Sequence, residues 1–135
     1  MNKSVAFIAA LISFALAVPQ GQSCGPENYF VSPSFDVTPY PPVKGQTSVL
    51  TLSGTTPLDV TLQDWDLYWN FNGRLVQQYD APLTGTYQAH TVVNVTYNYA
   101  VPASSESGYY NLRLLLQNSQ GFYINCWQFS YYLVG

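Results

Sequence analysis

Ionisable side chains are scarce. Four lysines and arginines, seven acids and one histidine are spread over 135 positions, so chemistry that needs clustered charge has little to draw on. Phosphate recognition takes grouped Lys and Arg, which argues against nucleic acid as a partner. Zinc sites take three or four Cys, His or carboxylate ligands, and two cysteines with the lone His90 do not form such a set. No glycine-rich phosphate loop, HExxH helix or GxSxG elbow is present. Neither a metal nor a cofactor is implied, and no group of residues supports an enzyme. Asp64 and Asp66 have the spacing of paired carboxylates, but no third acid stands near them in the sequence, so they read as a charged solvent face. His90, between Ala89 and Thr91, reads as a solvated strand residue.

Long apolar runs are also missing, with one exception at the start. Lys3 precedes the thirteen-residue run "VAFIAALISFALA", which ends in Ala15-Leu16-Ala17, the form of a secretory signal peptide. A spanning helix needs about 20 apolar residues, whereas Pro19, Gln20, Gly21 and Gln22 follow at once. Residues 1–17 are expected to be removed, leaving 18–135 as a single secreted or lumenal domain. That mature part keeps Lys44, Arg74 and Arg113 against seven acids, a formal charge of −4. Twenty aromatic side chains then outnumber ten charged ones, because only Phe7 and Phe14 of 22 leave with the leader. The surface must therefore be built from Ser, Thr, Asn, Gln and Tyr, and the interior must be aromatic.

Cysteine is as scarce as charge. Cys24 and Cys126 allow one intramolecular pairing, and export takes a chain through a compartment where thiols oxidise. Free or intermolecular thiols are the alternative. A bridge between them would close a loop of 102 residues.

What the mature chain does have is period-two alternation from residue 46 onward, and no apolar period of 3.6. In "DWDLYWNF" Trp65, Leu67, Trp69 and Phe71 share one face, while Asp64, Asp66, Tyr68 and Asn70 share the other. The next pair, Asn72-Gly73, suits a type I′ turn, so "RLVQQY" is expected to return antiparallel. "TYQAHTVVNVTYNYAV" alternates for sixteen residues, with Val93, Val95, Tyr97 and Tyr99 on one side. That is longer than an ordinary strand and predicts one that is bent, bulged or shared between two sheets. Asn94 opens the sequon Asn94-Val95-Thr96 on the opposite, outward side, where a glycan could be carried. "YYNLRLLLQ" sets Tyr110, Leu112, Leu114 and Leu116 inward. Upstream, "SVLTLSG" and "LDVTL" read as short strands, and the proline-rich "FDVTPYPPVKG" as an extended edge. In the last strand Trp127, Phe129, Tyr131 and Leu133 oppose Cys126, Phe122, Ile124 and Gln128, and the polarity leaves open which set faces inward.

Seven to eight short strands predict an all-β, immunoglobulin-like two-sheet sandwich. Two functions fit an interior lined with aromatic stripes. One is a pocket for an apolar ligand; the other is an extracellular interaction module with a solid core that binds protein or glycan. Inward tyrosine hydroxyls need partners, which favours a pocket mouth.

The order of the motifs adds to this. "TPYPPVKGQTSVLTLSG" resembles the proline-then-glycine edge and second strand of ML-domain lipid-recognition proteins, a family that includes the Niemann-Pick type C sterol carriers and the phosphatidylglycerol/phosphatidylinositol transfer proteins. "VTYNYAVPASSESGYYNLRLLLQNSQGFYINCWQF" is similar to that family's long strand, proline, Ser-rich loop, Gly-Tyr strand start, glycine turn and closing Cys-Trp. The resemblance implies a sandwich whose sheets splay to admit a sterol, phospholipid or fatty acid. It also implies transient contact with a membrane or carrier protein, and a bridge between Cys24 and Cys126. The wall positions it implies are Trp69, Phe71, Val95, Tyr97, Tyr99, Leu114 and Trp127, and the same inward stripes add Trp65, Leu67, Val93, Tyr110 and Leu112 to the expected cavity wall. The family's further cysteines are missing, since Asp80-Ala81-Pro82-Leu83 stands in their place.

Overall fold

The computed structural model describes residues 21–134; the leader expected over 1–17 lies outside them. Eight antiparallel strands make up two sheets: β1 (Gln22–Asn28), β2 (Val31–Thr38), β3 (Thr47–Thr55), β4 (Val60–Phe71), β5 (Arg74–Tyr87), β6 (Val92–Ala100), β7 (Gly108–Asn118) and β8 (Tyr123–Leu133). The larger sheet has the order β1-β8-β7-β4-β5 and the smaller the order β2-β3-β6. This is the expected two-layer β-sandwich, with no helix among the described residues.

Alternation decides which residues lie between the layers. From the larger sheet come Trp65 and Leu67 of β4, Leu112, Leu114 and Leu116 of β7, and Phe129, Tyr131 and Leu133 of β8; from the smaller come Val37, Leu50, Leu52, Val93, Val95 and Tyr99. Each such side chain stabilises the fold by about 1.5–3 kcal/mol when fully buried, which lets a chain with so little charge hold together through its interior. The question left open for β8 is settled: Trp127 pairs with the inward Leu114, and Phe129 with Leu112.

Two expected element boundaries change. "LDVTL" and "DWDLYWNF" are one strand, β4, and its register shifts between Leu62 and Asp64. A bulge inserts one extra residue, so the inward set passes from Val60 and Leu62 to Trp65, Leu67 and Trp69, a phase change that makes one strand look like two. Conversely, the sixteen-residue alternation is shared between the two sheets, one of the expected alternatives, and it runs as two strands rather than one. Residues 88–91 turn the chain from β5 in the larger sheet to β6 in the smaller. Their even number preserves the parity of Tyr87 and Val93, so the pattern shows no break. His90 is therefore a turn residue with φ 65°, exposed to solvent, rather than a strand residue.

The Asn72-Gly73 turn is as expected, with φ of 47° and 82° and Phe71 opposite Arg74. Cys24 and Cys126 form a disulfide with Cα atoms 5.1 Å apart. It joins adjacent strands of the larger sheet on the face opposite Trp127, and so fastens the edge strand β1 to β8.

Candidate functional site

Where the free edges β5 and β6 of the two sheets stand apart, a cleft of about 520 Å³ opens. Trp69, Tyr79, Tyr99 and Tyr110 form its walls, and Val76, Gln77, Ala100, Pro102 and Ser105 its rim. Its floor is a set of packed rings. Trp69 lies 5.0 Å from Tyr79 and 5.2 Å from Tyr99, between ring centroids, and Phe71 lies 4.8 Å from Tyr110. Tyr131 stacks on Tyr110 at 5.4 Å and on Phe129 at 5.8 Å. Phe129 leads to Phe35, and Phe35 stacks on Trp127 at 5.6 Å on the far side of the sandwich. Aromatic side chains thus run from the cleft across the whole interior.

Polar atoms at the cleft end of this column are hydrogen-bonded. The Trp69 Nε1–H donates to the Tyr99 hydroxyl at 2.8 Å, and that hydroxyl shares a short hydrogen bond with the Tyr131 hydroxyl. The Tyr110 hydroxyl donates to the Glu106 carbonyl at 2.8 Å. Burial holds Tyr97, Tyr99, Tyr110 and Tyr131 above the usual phenol range, so all four stay neutral and act as hydrogen-bonding, not charged, groups.

The structure divides the residues expected to form a wall. It brings Trp69, Tyr99 and Tyr110 to the cleft, with Phe71 packed behind Tyr110 and Tyr97 against Tyr79 at 6.3 Å. Trp65, Leu67, Val93, Val95, Leu112 and Leu114 lie deeper, packed against one another between the sheets. Trp127 lies at the opposite edge, half-buried against Phe35. Asn94 is exposed on β6 across from Ser53, on the outer face.

Several site residues were not singled out in the sequence. Tyr79 and Pro102 line the cleft, and Tyr131 completes the hydroxyl pair. Tyr79 continues the parity that puts Ala81 and Tyr87 inward, so the signal for it was present. Asn125 is 1 % exposed, and its amide has no partner among the described residues; the indole nitrogens of Trp65 and Trp127 have none either. Parity with Trp127 places Asn125 inward, against its polar character.

The outer face of the larger sheet corrects the reading of Asp64 and Asp66. A third acid does stand beside them: Asp80 of β5 pairs with Asp66 across the ladder, and the three carboxylates lie within 4.8 Å of one another. Asp66 is 5 % exposed and accepts a short hydrogen bond from the Tyr123 hydroxyl. Burial, then the Asp66 charge, raises the Asp64 carboxyl above its usual range. A hydrogen bond to Asp66, then that charge, does the same for Asp80.

A second cleft, of about 680 Å³, lies at the other end of the strands, where the β3–β4 loop meets the β7–β8 turn. β4 connects the two, with Val60 at one and Trp69 at the other. Nine residues of strand separate them by about 30 Å.

No protein-family model matches the chain, and no curated protein does. Among solved structures it is similar to a Niemann-Pick type C2 protein from Japanese carpenter ant, with TM-score 0.61 and 11 % identity over 84 % of this chain and 98 % of that one. At that identity the likeness is one of fold.

Proposed function

We propose that this chain is a secreted or lumenal lipid-binding protein that holds a sterol, phospholipid or fatty acid between its sheets. It passes the ligand on through transient contact with a membrane or carrier protein. The observation that carries this reading is the aromatic cleft between the free edges of β5 and β6, which opens onto a continuous apolar interior. The motif resemblance to lipid-recognition proteins and the shared fold support it. Removing apolar ligand surface from water contributes about 25 cal/mol per Å², so binding of this kind needs no catalytic group. Exposed Leu75 and Val76 beside the rim suit contact with an apolar surface during transfer. The disulfide fits an oxidising compartment, and on that route Asn94 would carry an N-linked glycan.

Solvent extraction of the purified protein, followed by mass spectrometry, tests the reading, and stoichiometric lipid is expected. Ala100→Arg at the exposed rim should lower uptake of fluorescent sterol or fatty acid without altering the melting midpoint. Absence of both extractable lipid and added-lipid binding would overturn the proposal.

One observation favours the second reading, an interaction module with a solid core: Leu67, Leu112, Leu114 and Val93 are completely buried by protein alone. Val95→Trp separates the two. It blocks uptake if the sheets part to admit a ligand, and only destabilises by overpacking, by about 1–3 kcal/mol, if they do not.

A further inference from the structure

The larger cleft, remote from the lipid site, combines two kinds of surface. Phe122 and Leu58, 65 % and 61 % exposed, stand with Tyr29 around its apolar part. Asp59, Asn118, Ser119 and Gln120 form its polar part. Two of these polar side chains are held in place by the backbone while keeping half of their bonding capacity. Asn118 Oδ1 accepts the N–H groups of Gln120 at 3.1 Å and Phe122 at 2.9 Å, and its NH₂ has no partner among the described residues. Asp59 Oδ1 accepts the Ala89 N–H at 2.7 Å, which leaves the second carboxylate oxygen. The turn itself is closed by Asn118 N–H to Phe122 O at 2.9 Å and Ser119 N–H to Thr61 O at 2.8 Å. A fixed donor and a fixed acceptor therefore stand beside an exposed aromatic ring, and ordering them on binding costs little.

The chemistry of the lining selects a ligand class. Among the described residues of the lining Asp59 is the only charged one, so an anionic ligand would meet repulsion and no cation. A hydrocarbon chain would bury Asp59, Asn118 and Gln120 without replacing their hydrogen bonds to water, a loss of about 1–3 kcal/mol per group. A sugar ring has an apolar C–H face for Phe122 and a hydroxyl edge for the Asn118 donor and the Asp59 acceptor. The volume lies within the ~300–1,000 Å³ range of small-ligand sites. We propose that this cleft, about 30 Å along β4 from the lipid site, binds a neutral saccharide.

The test uses the full secreted protein and neutral cello-, chito- and manno-oligosaccharides, read by saturation-transfer NMR and calorimetric titration. Saturable binding of at least one series is expected, with Phe122→Ala and Asp59→Asn each weakening it about tenfold, the scale of one aromatic or one charge-assisted contact. Asn at position 59 keeps the acceptor for Ala89, and Phe122 is exposed, so both variants should melt as the parent does. Lipid content on extraction should be the same in all three proteins, and Ala100→Arg should leave saccharide binding unchanged. Failure of the lipid reading is thus visible separately. No saturable binding by any series would overturn the proposal, as would binding indifferent to Phe122, or Phe122-dependent capture of phosphatidylcholine vesicles in its place.

Discussion

At the scale of single residues, the Tyr99 hydroxyl holds the cleft floor together. It accepts from Trp69 and shares a hydrogen bond with Tyr131 in the buried interior. Tyr99→Phe leaves two buried polar groups without partners, and each orphaned group costs about 1–3 kcal/mol. Tyr131→Phe leaves Tyr99 with its indole donor and should cost less. Urea denaturation of the two variants checks the order, and an equal loss would show that Tyr99 is not the hub. The carboxylate cluster gives a second residue-scale prediction. A carboxyl held above its usual range in the fold, as Asp64 and Asp80 are, stabilises the folded state fully below its unfolded pKa of about 3.9. That stabilisation is lost as pH rises through the raised folded value. Asp80→Asn removes the charge but keeps a donor for Asp66, so the melting midpoint should rise more at pH 7 than at pH 4 when followed by scanning calorimetry.

At the scale of strands, the β4–β5 turn has a double role. It reverses the chain, and it also fixes the start of β7, since the Tyr109 N–H donates to Asn72 Oδ1 at 3.0 Å and the Asn72 N–H to Tyr109 O at 2.8 Å. Gly73 sits at φ 82° with open space where a Cβ would be, so Gly73→Ala should cost only the backbone term, about 1 kcal/mol. Hydrogen exchange should show the loss at both β4–β5 and the start of β7. This turn was legible in the sequence because two adjacent residues of the right type fix its geometry. The inward faces of β4, β6 and β7 were legible for a similar reason, as each needs only parity. The bulge at Gln63 and the turn at 88–91 were not, because one shifts the phase without a marker residue and the other preserves it across a true break. Trp69, Tyr99 and Tyr110 could be named as wall positions from their stripe. Their grouping away from Trp127 depends on which edges stand apart, and no strand encodes that alone. Asp80 meets Asp66, fourteen residues earlier in the chain, only through the register of the β4–β5 ladder.

At the scale of the whole molecule, the two open sides of the sandwich differ. On one side β1 leads directly through Tyr29 and Phe30 into β2, Tyr29 N–H bonds to Ile124 O at 3.0 Å, and Phe35 packs on Trp127 and Phe129. The disulfide fastens β1 to β8 on this same side. On the other side the turn at 88–91 and the Tyr79–Tyr97 ring contact connect β5 to β6, with no backbone ladder between them, and the cleft lies along that side. Any parting of the sheets to admit a ligand is therefore a hinge opening at β5 and β6 with the β1–β2 side as its axis. Closing a loop of 102 residues stabilises by about 4–5 kcal/mol in the chain-entropy treatment, so the paired change Cys24→Ser with Cys126→Ser should lower unfolding stability by that order. Because the bond lies within one sheet and away from the cleft, the same variant, assayed at a temperature where it remains folded, should bind fluorescent sterol or fatty acid as the parent does. Its hydrogen exchange should accelerate most in β1, and in β5 and β6 by no more than the global loss of stability accounts for. Exchange in β5 or β6 accelerated beyond that global loss, or loss of binding in the folded variant, would mean that the two sides move together, and the hinge would be abandoned.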